Sequence, residues 1–265
     1  MMTLLTKPRF WLAILIPLVV VPLALAQAEV TPTEAMETGN RSYEAGRYDE
    51  AAAIYQTIIA AGIEDSTLYY NLGNAYFKQG NLGRAILNYK RAYRLAPRDA
   101  DISTNLAIAR QQTLDRLDQT GNNTFTNLVE VAEEWLTLRE AAVLALLLWL
   151  ALSALLLLAI LVKRLRRYSL WAVGFVGIFL LLGLFSMASR YYRETNAPAA
   201  VIVNPLVDVT SGPGPAEQYV VEFNLHGGAE VRVVDDRPGW RRITLPGNDF
   251  QGWVPAEAVE TIAVK

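Results

Sequence analysis

The sequence predicts a multidomain chain: an all-α solenoid of paired short helices, two membrane-length helices, and a small all-β barrel at the C-terminal end. Three observations predict it. A pattern of glycine, alanine and tyrosine recurs after 34 residues. Two apolar runs flank a short basic segment. From Pro198 onward apolar and polar residues alternate. Composition narrows the chemistry. The net charge of −2 argues against nucleic-acid binding by electrostatics. The chain has no cysteine, which excludes disulfides, thiolate metal sites and cysteine nucleophiles. Its one histidine, His226, excludes a multi-histidine metal site.

Lys7 and Arg9 precede an apolar run from Phe10 to Leu25 that ends in Ala24-Leu-Ala26. This is the layout of a secretory signal over residues 1–26, cleaved after Ala26. Pro17 and Pro22 suit a signal better than the alternative, an uncleaved anchor. Either reading exports the residues that follow.

Residues 28–117 carry the repeat. Gly39, Gly46, Tyr48, Ala51 and Tyr55 recur as Gly73, Gly80, Leu82, Ala85 and Tyr89, and the second copy closes on Leu95-Ala-Pro97. Small residues let two antiparallel helices approach, tyrosines fill the gaps, and Pro97 cannot continue a helix. The pattern resembles the tetratricopeptide repeat. Residues 100–117 keep a helical period through Ile102, Leu106 and Ala109, and are expected to cap the last repeat.

A polar linker and an acidic juxtamembrane segment follow over 118–140, with Glu130, Glu133, Glu134 and Glu140. Residues 141–162 and 170–188 are apolar runs long enough to span a bilayer. A soluble buried hairpin is the alternative, but no segment is large enough to cover two helices that are apolar all round. The basic loop at 163–169 holds Lys163, Arg164, Arg166 and Arg167. By the positive-inside rule it is cytoplasmic, so both flanking regions lie outside, in agreement with the signal.

Residues 199–265 read as strands separated by Gly, Pro, Asn and Asp, including Ala200–Val203, Tyr219–Phe223 and Trp240–Leu245. Val207-Asp-Val-Thr-Ser-Gly-Pro213, Leu225-His-Gly-Gly, Gly239-Trp-Arg-Arg-Ile and Gly252-Trp-Val-Pro resemble the bacterial SH3 (SH3b) pattern, which implies a barrel. Gly212 and Gly252 are expected to serve turns. Trp240 and Trp253 supply core area, with a peptide groove as the alternative. His226, beside Gly227-Gly228, reads as a solvated turn residue, with a lone base as the alternative. No nucleophile–base–orienter set can be assembled, so no catalytic, cofactor or metal residue is assigned and no enzyme is expected.

The residues expected on the groove-facing helices are Asn40, Tyr43, Glu44, Tyr70, Asn71, Asn74, Phe77, Lys78 and Asn105. Asparagines at helical spacing can pair with the backbone of an extended ligand, or merely satisfy local polar needs. As exposed groove positions they are expected to add little to stability. Asn40 and Asn71 resemble two positions of the carboxylate clamp of chaperone-binding repeats. Met36, Asp101 and Asn105 stand where its basic partners would be, so an acidic C-terminus is not the expected ligand.

The order of signal, repeats, two spans and barrel, with Tyr69-Tyr-Asn-Leu-Gly-Asn-Ala-Tyr and Asn204-Pro-Leu-Val-Asp-Val-Thr-Ser-Gly-Pro, resembles the BatE-type proteins of bacterial aerotolerance operons. The resemblance implies a non-enzymatic protein of the bacterial cytoplasmic membrane, with both domains extracytoplasmic. It also implies work beside von Willebrand A-domain membrane proteins in envelope stress or complex maturation. The expected function is a scaffold that holds membrane or extracytoplasmic proteins through the repeats. The alternative is an envelope sensor that binds wall peptide through the barrel.

Overall fold

Helix breakers and caps fall at matching points of the two repeats and set five short helices: α1 (Pro32–Glu44), α2 (Tyr48–Ala60), α3 (Ser66–Lys78), α4 (Leu82–Leu95) and α5 (Ala100–Gln111). Gly46 and Gly80, 34 residues apart, both take a φ of 76°, which an L side chain rarely adopts, and each turns the chain between the helices of a pair. Asp65 and Asp99, also 34 apart, cap α3 and α5 by accepting from two backbone N–H groups each. Asn81 caps α4 through the Arg84 N–H, whereas its counterpart Arg47 caps nothing and pairs with Glu50 at 2.6 Å. The described residues are 31–115, 136–245 and 250–263 of a computed structural model. The expected signal and residues 118–135 of the expected linker lie outside them.

Within each pair the small residues act as foreseen. A Cβ on Gly39 would stand 2.5 Å from the Tyr55 ring, and one on Gly73 would stand 2.7 Å from the Tyr89 ring. Ala51, Ala85, Tyr55 and Tyr89 are buried at the same contacts.

Two helices follow, α6 (Leu138–Leu161) and α7 (Arg166–Asn196), and they pack on each other as a hairpin. Both are long and apolar enough to cross a membrane, and nearly all their side chains face outward. A capping box of Thr137 and Glu140 starts α6. The helices do not follow the apolar boundaries. Arg166 and Arg167, expected in the loop, form the first turn of α7, because their straight side chains favour helix as well as any apolar residue does. At its other end α7 continues past Ala188 to Asn196 and leads almost directly into the sheet.

The sheet is antiparallel, with strands β1 (Ala199–Ile202), β2 (Leu206–Thr210), β3 (Val221–His226), β4 (Glu230–Arg237), β5 (Trp240–Thr244), β6 (Gln251–Pro255) and β7 (Val259–Thr261). Their order is β3-β2-β6-β5-β4-β1-β7, so the ladder does not close and the expected closed barrel is not formed. β7 is too short to reach another strand. The carbonyl of Thr261 accepts from Arg91 of α4 at 2.9 Å instead, which covers that edge with a helix. The third strand begins at Val221 rather than Tyr219. The Tyr219 ring fills the space where a Cβ on Gly212 or Gly214 would stand. Gly212 and Gly252 have no positive φ; they are small because a ring and the Val209 side chain lie against them. Trp253 is buried, with the Arg237 guanidinium 4.8 Å from its ring centre, and Trp240 is half-buried.

β1 joins the sheet to the repeats. Ala200 and Ile202 point into the sheet's own core with Val209, Ile243 and Val254. Val201 and Val203 point the other way, into the core formed by Ile86, Tyr89 and Leu106 of the repeats. A strand buried on both faces shows no polar alternation, and Ala199-Ala-Val-Ile-Val203 has none. The described residues from Pro32 onward belong to one compact unit.

Candidate protein-binding groove

Each repeat builds the same polar triad. Asn40 Oδ1 accepts from Tyr55 Oη at 2.7 Å and from Asn71 Nδ2 at 3.1 Å. One repeat later, Asn74 Oδ1 accepts from Tyr89 Oη at 2.7 Å and from Asn105 Nδ2 at 3.0 Å. Asn105 also donates to Tyr70 Oη at 2.9 Å. The asparagines thus bridge α1 to α3 and α3 to α5. Tyr55 and Tyr89 reach them from below, out of the core. Burial, together with the neighbouring phenols, pushes both hydroxyls up, that of Tyr55 to about 12, so they remain donors at any ordinary pH.

Asn40, Asn71, Asn74 and Asn105 are half-buried and hydrogen-bonded. The expectation that they are free, exposed positions does not hold. A half-buried carboxamide with four bonding sites spends some on its neighbours and keeps the rest. Among the described residues the Nδ2 groups of Asn40 and Asn74 and the Oδ1 groups of Asn71 and Asn105 have no partner. Donors and acceptors therefore remain on adjacent helices. Tyr43 packs edge-on to Tyr48 with ring centres 5.3 Å apart, and Phe77 rests partly buried on the core. Glu44 and Lys78 are exposed at the ends of α1 and α3. The structure brings the asparagines and Tyr70 into one network and leaves Tyr43, Phe77 and Lys78 outside it.

These are tetratricopeptide repeats. The tetratricopeptide repeat family model matches residues 36–100. Such repeats mediate binding of other proteins and are typically non-catalytic. No match to a curated protein was found.

A second polar cluster lies on the other side of the repeats, and sequence reasoning missed it. Glu230, at the head of β4, is 8 % exposed. Arg110 of α5 donates to both its oxygens, at 2.6 and 3.1 Å, and Lys90 of α4 pairs with it as well. Burial raises the Glu230 carboxyl, but the two cations outweigh it and hold the group well below the usual range, at about 2. His226 is not a solvated turn residue. It ends β3, its N–H donates to Asp115 Oδ2 at 2.5 Å, and its Nδ1 lies 3.1 Å from Asp115 Oδ1. Both contacts tie the sheet to the end of α5.

Proposed function

We propose that this chain is a membrane-anchored scaffold that grips an extended segment of another membrane or extracytoplasmic protein along the groove of its repeats. The observation that carries the reading is the asparagine ladder. Neighbouring helices lie about 8–10 Å apart, roughly the span of three extended residues at about 3.3 Å each. A ladder with unused amide donors and acceptors at that interval suits the alternating N–H and C=O groups of a peptide backbone. It carries no net charge, which favours main-chain recognition over an acidic or basic side-chain motif.

The shared core supports the topology. Repeats and sheet are joined through Val201 and Val203, so both lie on one side of any membrane that α6 and α7 cross between them. Lys163, Arg164 and the first residues of α7 make that side the extracytoplasmic one by the positive-inside rule. The resemblance to BatE-type proteins points to von Willebrand A-domain membrane proteins as partners.

The test is co-purification of membrane partners with the full chain and with Asn71→Ala/Lys78→Ala. Asn71 gives only one bond to the network, so the fold should survive. Binding should weaken by about 1–3 kcal/mol, as a desolvated partner group loses its mate. Equal recovery of every partner, with losses instead on altering exposed residues of the sheet, would favour the envelope-sensor reading.

A further inference from the structure

A cavity of about 280 Å3 lies where α7 meets the sheet and the last repeat, at the low end of small-ligand sites. Lys90 and Arg94 of α4, Arg190 and Arg193 of α7, and Arg232 of β4 line it, against two carboxylates, Glu194 and Glu230. Five cations less two anions leave three positive charges among the described lining residues. Leu136, Pro198 and Ile262 add an apolar wall.

The position of the cavity along α7 suggests what it holds. The apolar run ends at Ala188. At a rise of 1.5 Å per residue, Arg190 and Arg193 stand about 3 and 8 Å beyond it. The headgroup layer of a bilayer is roughly 5–7 Å deep on each side. Tyr191 and Tyr192 on the same turns are 71 % and 68 % exposed, as interfacial aromatics are. On the facing helix, Arg190 holds the Leu136 carbonyl at 3.1 Å, just before α6 begins. The cavity therefore opens at the depth of lipid phosphates. Four of its five cations are arginines, whose planar forks match phosphate oxygens two at a time.

We propose that this cavity binds the phosphodiester headgroup of an anionic phospholipid from the leaflet that faces the folded domains. This rests on the membrane reading above. Its role is orientation: a lipid held between α7, β4 and α4 fixes the height and tilt of the groove over the bilayer.

The experiment uses the full chain in neutral detergent, with Arg164, Arg166 and Arg167 changed to Gln so that the basic turn at the other end of the hairpin cannot contribute. Native mass spectrometry follows with phosphatidylglycerol and with phosphatidylcholine. Several-fold preferential retention of one phosphatidylglycerol is expected. Adding Arg193→Gln and Arg232→Gln should reduce that preference to parity, with the thermal melt unchanged. Should the double change unfold the chain, Arg193→Gln alone, on the helix surface, should at least halve the preference. Equal retention of the two lipids before those changes would overturn the proposal. Displacement of the lipid by millimolar glycerol phosphate would also overturn it, since free phosphate would then be the ligand. Failure of the membrane reading shows separately, as a chain that stays soluble without detergent.

Discussion

The groove and the junction are two polar networks on opposite sides of the same helices, built on different principles. The groove network is neutral, repeats every 34 residues and leaves amide groups unused. The junction is charged, occurs once and turns inward: Glu230 is bonded by two cations, Thr261 by Arg91, and Asp115 by His226. A network that keeps bonding capacity at a surface can bind. One that spends it inside can only hold the fold together. The difference locates recognition on the α1–α3–α5 side and assembly on the α4 side.

The largest expected effect is at the junction. Glu230→Ala leaves Lys90 and Arg110 facing each other beside a buried strand. It should cost about 3 kcal/mol, the low end for breaking a buried pair, because both cations keep some solvent contact. Thermal denaturation of the full chain measures it. Replacing Glu230, Lys90 and Arg110 together with Met should recover much of the loss, and no recovery would mean the triad does more than fill space.

Acid should act on the same group. The carboxyl of Glu230 is lowered from 4.5 to about 2, so its stabilisation is complete above about pH 4.5 and disappears as pH falls through about 2. The melting temperature of the wild type should drop across that window more steeply than that of Glu230→Gln. Parallel curves would place the acid sensitivity elsewhere.

Gly83→Val comes next. Its Cβ would stand 2.5 Å from the Ile202 carbonyl oxygen and 2.9 Å from the Val203 Cα, both backbone atoms that cannot swing aside. The expected cost is about 2 kcal/mol. Asp49→Val, at the matching position of the first repeat, is exposed and should stay within roughly 0.5 kcal/mol. Similar melts for the two would erase the distinction between α2 and α4.

The smallest effect belongs to the groove. Tyr89→Phe removes one hydrogen bond to Asn74, which still accepts from Asn105. A loss of about 1 kcal/mol is expected by denaturant titration. A loss above that of Glu230→Ala would make the ladder, rather than the junction, the main stabiliser.

The repeats, both apolar helices and most strands were legible because each is written in local periodicity. The groove positions were legible too, since Asn40 and Asn74, like Asn71 and Asn105, are 34 apart. Their bonding was not, because it depends on tyrosines from the partner helix. The junction escaped because its pairs are 120 to 170 residues apart in sequence. One signal was available. Compared copy by copy, Asp49, Gln56, Thr57 and Ala60 of α2 become Gly83, Lys90, Arg91 and Arg94 of α4. Those departures from the repeat are the residues that meet the sheet or α7. Residues that break a repeat mark where it meets something else.

The two faces of β1 also impose an order on biosynthesis. The last repeat is complete at Gln111, and the strand that covers its end begins at Ala199, after 87 more residues have been added. At about 5–20 residues per second that takes roughly 4–17 s. Throughout that delay Ile86 and Gly83 lack the strand that later covers them, and Lys90 and Arg110 lack their carboxylate. The nascent chain must carry a sticky, positively charged end through export and hairpin insertion. A holding chaperone that recognises that end would be needed only until the sheet arrives.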